Sequence, residues 1–201
     1  EDYSHLSMSL RFLAGSLGLP FIPTKSMLGT DLSKQTSTNI LESTDPWNSN
    51  KAVLLLKACN PDVSIVHVQK ADVLGNVIIE GFSTHEPEMI KASKSVIVSC
   101  EKLIDTEVIR QNPEMTSIPY IFVDAVVVQP WGAYPTSTYK FYEHDEPHIK
   151  YYQSISKTDG PEYKKYLDKY IYKCPDFDNY LELVTTTKNL NSLAESMNSV
   201  S

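Results

Sequence analysis

A short run of β-branched residues that passes directly into a polar loop restricts the fold of this chain more than any other feature. Residues 63–68 include Val63, Ile65, Val66 and Val68, the apolar, β-branched type that a sheet interior requires. The polar residues that follow are Gln69, Lys70, Asp72 and Asn76, with Gly75 before the last of them. Because ligands in α/β folds bind beyond the carboxyl ends of strands, this loop is a candidate binding site.

Segments typical of strands and helices alternate along the first three quarters of the chain. Further strands are predicted at 52–56, 77–79, 95–99 and 121–128, and helices at 3–17, 88–94 and 104–111. The stretch 24–50 contains much Ser, Thr, Asn and Asp, which predicts a long polar connection. Short buried strands between helices indicate an α/β fold, here a three-layer α/β/α arrangement with a largely parallel sheet.

The composition changes near residue 146, where Tyr, Lys, Asp and Glu become dominant and glycine is nearly absent. Amphipathic helices predicted at 161–172, 176–185 and 188–198 would form a helical C-terminal cap. We therefore predict an α/β domain over residues 1–155 and a helical extension over 156–201. The chain opens with Glu1 inside a charged segment, so we expect it to continue a longer polypeptide.

Charge and cysteine content argue against several classes of partner. The formal net charge is -7 without a basic stripe, so nucleic acid is not expected, because phosphate binding needs clustered Lys and Arg. The longest apolar run, 52–56, is far too short to span a bilayer, and we expect no signal peptide. The cysteines lack the CxxC spacing of a zinc site. We expect a cytoplasmic protein with no membrane partner and no metal.

Searches for a nucleophile motif or a phosphate-binding loop find no GxSxG, GxxxxGK[ST] or GxGxxG. His67 lies in mid-strand between two valines, where a histidine is more often a hydrogen-bonded core residue than a ligand or base. Glu101 follows a buried strand and either caps the next element or faces a cleft. Asp124, inside an apolar strand, must be paired or face a cleft or a subunit boundary.

The polar loop permits both a structural and a functional interpretation. Asp72 and Asn76 flank a turn, where such side chains often bond their own backbone, so they either cap the turn or line a site. Gln69 and Lys70 are better candidates for binding, because turn geometry does not require them. Glu1, a surface acid before a helix, is by itself typical of a solvated residue.

A set of short motifs points to a known family. In chain order they are Glu1-Asp-Tyr-Ser4, Leu17-Gly-Leu-Pro-Phe-Ile-Pro23, Leu28-Gly-Thr-Asp31, the loop from His67 to Asn76, Val96-Ile-Val-Ser-Cys-Glu101, Val108-Ile-Arg110, Ile118-Pro119, Val123-Asp-Ala-Val-Val127 and Pro130-Trp-Gly-Ala-Tyr-Pro135. With this ordered set, which covers residues 1–155, the chain resembles the alpha subunit of family I coenzyme A transferases, nearest to the glutaconate type. The helical tail matches only loosely.

The resemblance implies an enzyme with a CoA thioester as substrate, no metal, and a beta-subunit partner in a heterodimer, heterotetramer or octamer. Such enzymes move CoA between an acyl-CoA and a small carboxylic acid through a glutamyl-CoA thioester. The reactive glutamate resides on the partner subunit. The substrate-binding candidates Gln69, Lys70, Asp72 and Asn76 then become one wall of a pocket that two subunits share.

Two departures and two alternatives accompany this resemblance. The family's glycine-rich N-terminal βαβ half is missing, so the chain resembles the C-terminal portion of the subunit. Its only Glu-Gly pair, Glu80-Gly81, has no catalytic role in the family. One branch of these heterodimers hydrolyses ring carbon–carbon bonds in CoA thioesters, and there Glu1 would be the general base and the catalytic candidate of this chain. The second alternative is a non-catalytic subunit that completes the partner's pocket.

Overall fold

The structure is a computed structural model and describes residues 1–35, 38–157 and 160–198. It divides into two units, Glu1–Val128 and Gln129–Ser201. The helices of the first unit are α1 (His5–Ser16), α2 (Asp31–Gln35), α3 (Glu86–Ala92) and α4 (Thr106–Gln111). Its strands are β1 (Phe21–Thr24), β2 (Ile40–Asp45), β3 (Asn48–Lys57), β4 (Val63–Asp72), β5 (Val77–Ile78), β6 (Ser95–Ile104) and β7 (Ala125–Val128). The helices of the second unit are α5 (Glu146–Ile155), α6 (Pro161–Leu167), α7 (Phe177–Val184) and α8 (Thr187–Asn198).

The β-branched run forms β4, an inner strand of a four-stranded sheet with the order β5-β4-β6-β7. Strands β4, β6 and β7 are parallel, with Val66 opposite Val98 and Val98 opposite Val126, and only β5 is antiparallel. The prediction of an α/β fold with a largely parallel sheet is confirmed.

The two faces of this sheet differ because side chains alternate along each strand. On one face, Val66 and Val98 are buried together with Ile90 of α3 in the main hydrophobic core. On the opposite face, Ile65 is 69% exposed and Val127 is 46% exposed. The described helices therefore leave an apolar outer face of the sheet in contact with solvent.

A second sheet, antiparallel with the order β1-β3-β2, replaces much of the predicted polar connection at 24–50. Strands β2 and β3 form a hairpin, and the side chain of Asp45 accepts the backbone N–H of Trp47 in its turn. The connection was wrongly predicted because only one face of this sheet is buried, which leaves half of its residues polar or exposed. The buried face supplies Ile40, Leu54 and Leu56, which form a small core with Met27.

The second unit is helical beyond residue 146, in agreement with the predicted helical tail. Asp145 caps α5 by accepting the backbone N–H of His148, and its carboxylate also accepts the hydroxyl of Tyr134 at 2.6 Å. The predicted domain boundary at residue 155 lies within this unit, at the end of α5. A division into domains at that residue stays a prediction. No helix in the described ranges is long and apolar enough to cross a membrane.

Gly15 of helix α1 lies so close to neighbouring segments that a side chain has no room there. A Cβ atom at this position would collide with the backbone carbonyl of Cys59 and lie 2.9 Å from the Cβ of Ala92 in α3. The obstacles are backbone and a short side chain, which cannot rotate away. The absence of a Cβ at Gly15 thus permits the contact between α1 and α3.

We expect Gly15→Ala to destabilise the protein by about 2 kcal/mol, since overpacking of this kind typically costs about 1–3 kcal/mol. In a helix without such neighbours, Gly→Ala stabilises the protein by up to about 1 kcal/mol. The sign of the change in the free energy of unfolding therefore tests whether Gly15 is in close contact. Urea unfolding followed by circular dichroism measures the difference. Ser9→Ala on the same helix is the control and should be nearly neutral; a stabilising Gly15→Ala would contradict the close approach.

Candidate functional site

The carboxylate of Glu1 is held by side chains that converge from separate parts of the chain. The Asn39 amide donates to both oxygens, at 2.9 Å and 2.8 Å, and the Tyr3 hydroxyl donates to Oε2 at 2.7 Å. The Arg11 guanidinium lies 4.0 Å from Oε2. We refer to Glu1, Tyr3, Arg11 and Asn39 as the Glu1 cluster.

Helix α1 and the second sheet position this cluster. Ser4 is the N-cap of α1, so Tyr3 lies immediately ahead of the helix, and Arg11 projects from its second turn. The Arg11 guanidinium lies 4.4 Å from the ring centroid of Tyr3, and its Nε donates to the carbonyl of Lys57 at the end of β3. Asn39 immediately precedes β2, and its carbonyl accepts the N–H of Lys57.

These contacts keep Glu1 ionised. The hydrogen bonds from Tyr3 and then from Asn39 lower the pKa of the Glu1 carboxyl, because they stabilise its charged form. Burial, together with the bond to Glu1, raises the pKa of Tyr3, which therefore remains a hydrogen-bond donor. The pair forms a fixed anion next to a neutral hydroxyl at neutral pH.

A cleft of about 280 Å³ adjoins the cluster at Asn39. Most of its wall comes from the second sheet, and the lining residues are Pro20, Phe21, Thr38, Asn39, Leu41, Leu55 and Lys57. The cleft thus joins an apolar surface to the amide that holds Glu1. Neither Asn39 nor Lys57 was a candidate from sequence, because neither lies in a motif and only the fold brings them near Glu1.

In the predicted binding loop, Gln69 and Lys70 both make contacts with Glu80. The Gln69 side chain donates to the Glu80 carbonyl at 3.2 Å and accepts the Glu80 N–H at 3.1 Å. The Lys70 ammonium lies 3.2 Å from the Glu80 carboxylate. Gln69 is buried and the Lys70 side chain is 28% exposed, so Lys70 is the more accessible of the two.

Asp72 and Asn76 close the turn between β4 and β5. The fully buried Asp72 carboxylate accepts the backbone N–H of Leu74 at 3.0 Å and of Asn76 at 2.8 Å, and the Asn76 amide at 2.8 Å. Asn76 Oδ1 accepts the N–H of Tyr120 at 3.1 Å. Burial alone would raise the pKa of Asp72, but the hydrogen bonds, led by those from Asn76, lower it. These contacts are those of a turn cap, and substrate binding by the loop stays a prediction.

His67, Ser99 and Glu101 form a hydrogen-bonded row across the parallel sheet. His67 Nε2 lies 2.6 Å from Glu101 Oε1, and Nδ1 lies 2.9 Å from the Ser99 hydroxyl. Because His67 is in register with Ser99 in the parallel pair, all three side chains point to the same face. The sequence indicated a hydrogen-bonded histidine but not its partners, since they depend on strand register.

The Glu1 cluster and the 69–76 loop are separate sets of contacts. Within the described part of the chain, no hydrogen bond or ion pair joins Glu1 to Gln69, Lys70, Asp72 or Asn76. The residues that the structure describes contain no group of three or more His, Cys, Asp or Glu side chains that could hold a metal ion.

The chain matches the model of a known protein family throughout its first unit. A model of the family described as coenzyme A transferase matches residues 1–129, which include the Glu1 cluster, both sheets and the polar loop. The chain belongs to the coenzyme A transferase family. The prediction of a family I alpha-subunit type is confirmed, because the similar named relatives include alpha-type subunits of several CoA-transferases.

Three relatives show how far the similarity extends along this chain and along their own sequences. An uncharacterised protein of Archaeoglobus fulgidus is 42% identical over 96% of this chain and 42% of its own length. The alpha-type subunit of glutaconate CoA-transferase from Acidaminococcus fermentans is 32% identical over 95% of this chain and 64% of its own length. A cholesterol ring-cleaving hydrolase subunit of Rhodococcus jostii is 26% identical over 72% of this chain and 51% of its own length.

The crystal structure of the Acidaminococcus fermentans transferase superposes with a TM-score of 0.87 and 30% identity. It covers 96% of this chain, and this chain covers 65% of that one. The chain thus spans between two fifths and two thirds of the length of these relatives.

We expect Tyr3→Phe to raise the pKa of Glu1 toward its ordinary value, since it removes the donor with the largest effect on that carboxyl. A carboxyl-carbon NMR titration of the two proteins measures the change. Tyr139→Phe, at a half-exposed tyrosine, is the matched control and should leave the Glu1 titration unaltered. An unchanged pKa in Tyr3→Phe would contradict the hydrogen bond.

We expect Asp72→Ala to destabilise the protein by about 2–3 kcal/mol, because it leaves buried N–H groups without an acceptor. The pKa of Asp72 is lower in the folded protein than in the unfolded chain. Its contribution to the free energy of unfolding is therefore present above the unfolded-state pKa and is lost as the pH falls through the folded-state pKa. The difference in the free energy of unfolding between the unaltered protein and Asp72→Ala, measured by urea unfolding, should accordingly be largest at pH 7 and smaller at acid pH. Asp31→Ala, at an exposed carboxylate, serves as control, and a pH-independent gap would refute the assignment.

Proposed function

We propose that this chain is the alpha-type subunit of a heteromeric coenzyme A transferase that acts with a beta subunit. The enzyme moves CoA between an acyl-CoA and a small carboxylic acid, in the cytoplasm, through a glutamyl-CoA thioester on the partner. The observation that carries the proposal is the similarity to the alpha-type subunit of glutaconate CoA-transferase over 95% of this chain. The three free cysteines agree with a reducing compartment.

The chemistry proceeds by two exchanges at one glutamate of the partner. Its carboxylate attacks the thioester carbonyl, and the C–S bond breaks to give an acyl-glutamyl anhydride and CoA thiolate. The thiolate attacks the glutamyl carbonyl and releases the first acid as a carboxylate. The acceptor acid then repeats both steps in reverse. Water must be kept away from the anhydride, which is a task for the pocket walls of both subunits.

The electrostatics of Glu1 are those of a fixed anion rather than of a nucleophile. Hydrogen bonds to both of its oxygens lower its pKa, and a carboxylate stabilised in this way is a weaker base and a weaker nucleophile. A fixed anion beside a cleft is better suited to orienting a substrate or a partner side chain. We assign Glu1 this role, and we propose Gln69, Lys70, Asp72 and Asn76 as one wall of the pocket that the two subunits share.

The runner-up is hydrolysis of a CoA thioester substrate with Glu1 as general base. Two observations favour it: the position of ionised Glu1 beside the cleft and the similarity to the ring-cleaving hydrolase subunit. Against it stands the lowered pKa, because general-base catalysis is most efficient with a pKa near the working pH. A non-catalytic subunit is the remaining interpretation.

The decisive experiment is to trap the covalent intermediate. The chain is prepared with its partner subunit, mixed with acyl-CoA, and treated with borohydride or hydroxylamine. We expect acyl-CoA-dependent inactivation and a modified glutamate on the partner, located by peptide mass spectrometry. Turnover without any trapped adduct would rule out transfer through a glutamyl thioester.

Replacing Glu1 by Gln separates the three interpretations. We expect a fall in turnover of about tenfold with the adduct still trapped, since an orienting charge is lost but the nucleophile remains. A general base would lose about 10²–10⁴-fold and leave no adduct at any stage. Glu42→Gln, at an exposed glutamate of β2, is the control, and unchanged turnover in Glu1→Gln would remove Glu1 from the mechanism.

A further inference from the structure

Two clefts of the second unit meet at a rare kind of helical turn. Helix α6 is followed directly by a π-helical turn, Asp168–Tyr172, in which the N–H of Lys173 donates to the Asp168 carbonyl at 3.0 Å. Turns of this type are uncommon in proteins and occur frequently at functional sites. A cleft of about 440 Å³ and another of about 350 Å³ are both lined in part by this turn. Both are within the range of ligand clefts in proteins, ~300–1,000 Å³.

The larger cleft, which we call the lysine cleft, concentrates positive charge. Its lining residues are Lys165, Asp168, Lys169, Lys173 and Leu183. The three lysines follow one another at intervals of four residues, a spacing that places them along one side of the helical segment. Among these lining residues they are set against one carboxylate, on a chain whose formal net charge is -7. The surplus of cations favours an anionic ligand.

The three ammonium groups differ in the contacts that they make. Those of Lys165 and Lys173 each lie 2.8 Å from a carboxylate of the same helical segment, and both pairs are largely exposed and therefore weak. Lys169 forms no ion pair within the described ranges. Its Nζ donates to the Tyr170 hydroxyl at 3.0 Å and lies 4.6 Å from the centroid of that ring. An ammonium group has three N–H donors, so Lys169 can donate to a ligand as well.

The smaller cleft, which we call the aromatic cleft, is lined by planar rings. Its lining residues are Tyr170, Ile171, Cys174, Asp176, Phe177 and Tyr180. The ring centroids of Phe177 and Tyr180 are 5.6 Å apart, so these two rings pack against each other. Aromatic side chains grouped in this way bind flat heterocycles by stacking, as they do the bases of nucleic acids.

Lys169 and Tyr170 join the two clefts. Lys169 lines the lysine cleft, Tyr170 lines the aromatic cleft, and the two side chains are in direct contact. A ligand that spans both clefts must therefore carry a planar ring with negative charge a short distance away. A simple carboxylic acid lacks the ring, and an uncharged nucleoside lacks the anion. We propose that the two clefts form a binding site for a nucleotide with two or more phosphates, its base in the aromatic cleft and its phosphates on Lys165, Lys169 and Lys173.

Two sources can supply this chemistry, the nucleotide end of coenzyme A and a free nucleotide. Both present a purine ring next to a diphosphate, and hydrogen bonds between ammonium groups and phosphate oxygens are charge-assisted and strong. All the lining residues belong to the second unit. The proposal is therefore independent of the proposed function, and binding tests it without any turnover.

Calorimetric titration of the protein assembled with its partner subunit compares ADP with its two parts, adenosine and pyrophosphate. We expect ADP to bind at least about tenfold more tightly than either part, because only ADP fills both clefts. Lys169→Met should weaken the binding of ADP and of pyrophosphate by about tenfold. Phe177→Leu should weaken ADP by about tenfold and leave pyrophosphate unchanged, since it removes a ring and no charge. Pyrophosphate binding as tight as that of ADP would overturn the proposal, because it would reduce the site to a patch of charge.

Each variant has a matched control. Lys164→Met replaces an exposed lysine of α6 that lines neither cleft, and Tyr172→Leu replaces a tyrosine of the π-helical turn that is 73% exposed. Neither control should change the affinity for ADP. Thermal unfolding verifies that every variant is folded. An affinity for ADP that is the same in folded Lys169→Met as in Lys164→Met would refute the site.

A competition experiment distinguishes the two sources. ADP is titrated into the assembled protein after saturation with coenzyme A. Displacement of ADP would identify the nucleotide end of coenzyme A as the occupant, and an unchanged affinity for ADP would identify a free nucleotide. Either result supports the site, provided that ADP binding depends on Lys169. Both readouts are obtained even if no CoA transfer is detected, so a failure of the proposed function leaves this test intact.

Discussion

The half of the first unit that contains Glu1 depends on one nearly buried cation, Arg11. Its side chain is 9% exposed, so the charge must be compensated where it lies. The guanidinium charge is compensated by the Lys57 carbonyl, the ring of Tyr3 and the carboxylate of Glu1. One guanidinium thereby ties helix α1, the end of β3 and the proposed orienting anion into a single frame. Arg11 thus connects the Glu1 carboxylate with Lys57, a residue that lines the cleft.

The 69–76 loop and the Glu1 cluster differ in which groups donate hydrogen bonds to their carboxylates. In the loop after β4, the Asp72 carboxylate accepts hydrogen bonds from backbone N–H groups of its own turn. In the Glu1 cluster the acceptor is a side chain at the surface, and its donors are side chains as well. The first arrangement defines the chain path, whereas the second holds a charge in place beside a cleft. The two carboxylates therefore differ in what they are bonded to, Asp72 to backbone N–H groups and Glu1 to side chains.

Sequence patterns predicted the parts of the fold that depend on local composition. The β-branched run gave β4, and the alternation with helices gave a largely parallel sheet. The hairpin of β2 and β3 was missed because strands with one exposed face contain many polar residues. Composition cannot distinguish such strands from a loop.

The candidate site was predicted less completely than the fold. Glu1 was a candidate through family resemblance, but Asn39 is 38 residues away from it in sequence, and no motif marks it. Lys57 lies at the end of a strand whose pairing partners were not predicted. Both residues owe their positions to strand register in the antiparallel sheet, which short-range patterns do not encode.

The outer face of the parallel sheet has a consequence for handling the protein. Strands that are parallel are normally covered on both faces, and here Ile65 and Val127 remain open to water. Apolar area of this kind is the usual origin of self-association and colloidal instability in purified proteins. We therefore expect residues 1–201 by themselves to self-associate at high concentration, and we expect a protein surface that covers this face to suppress that association.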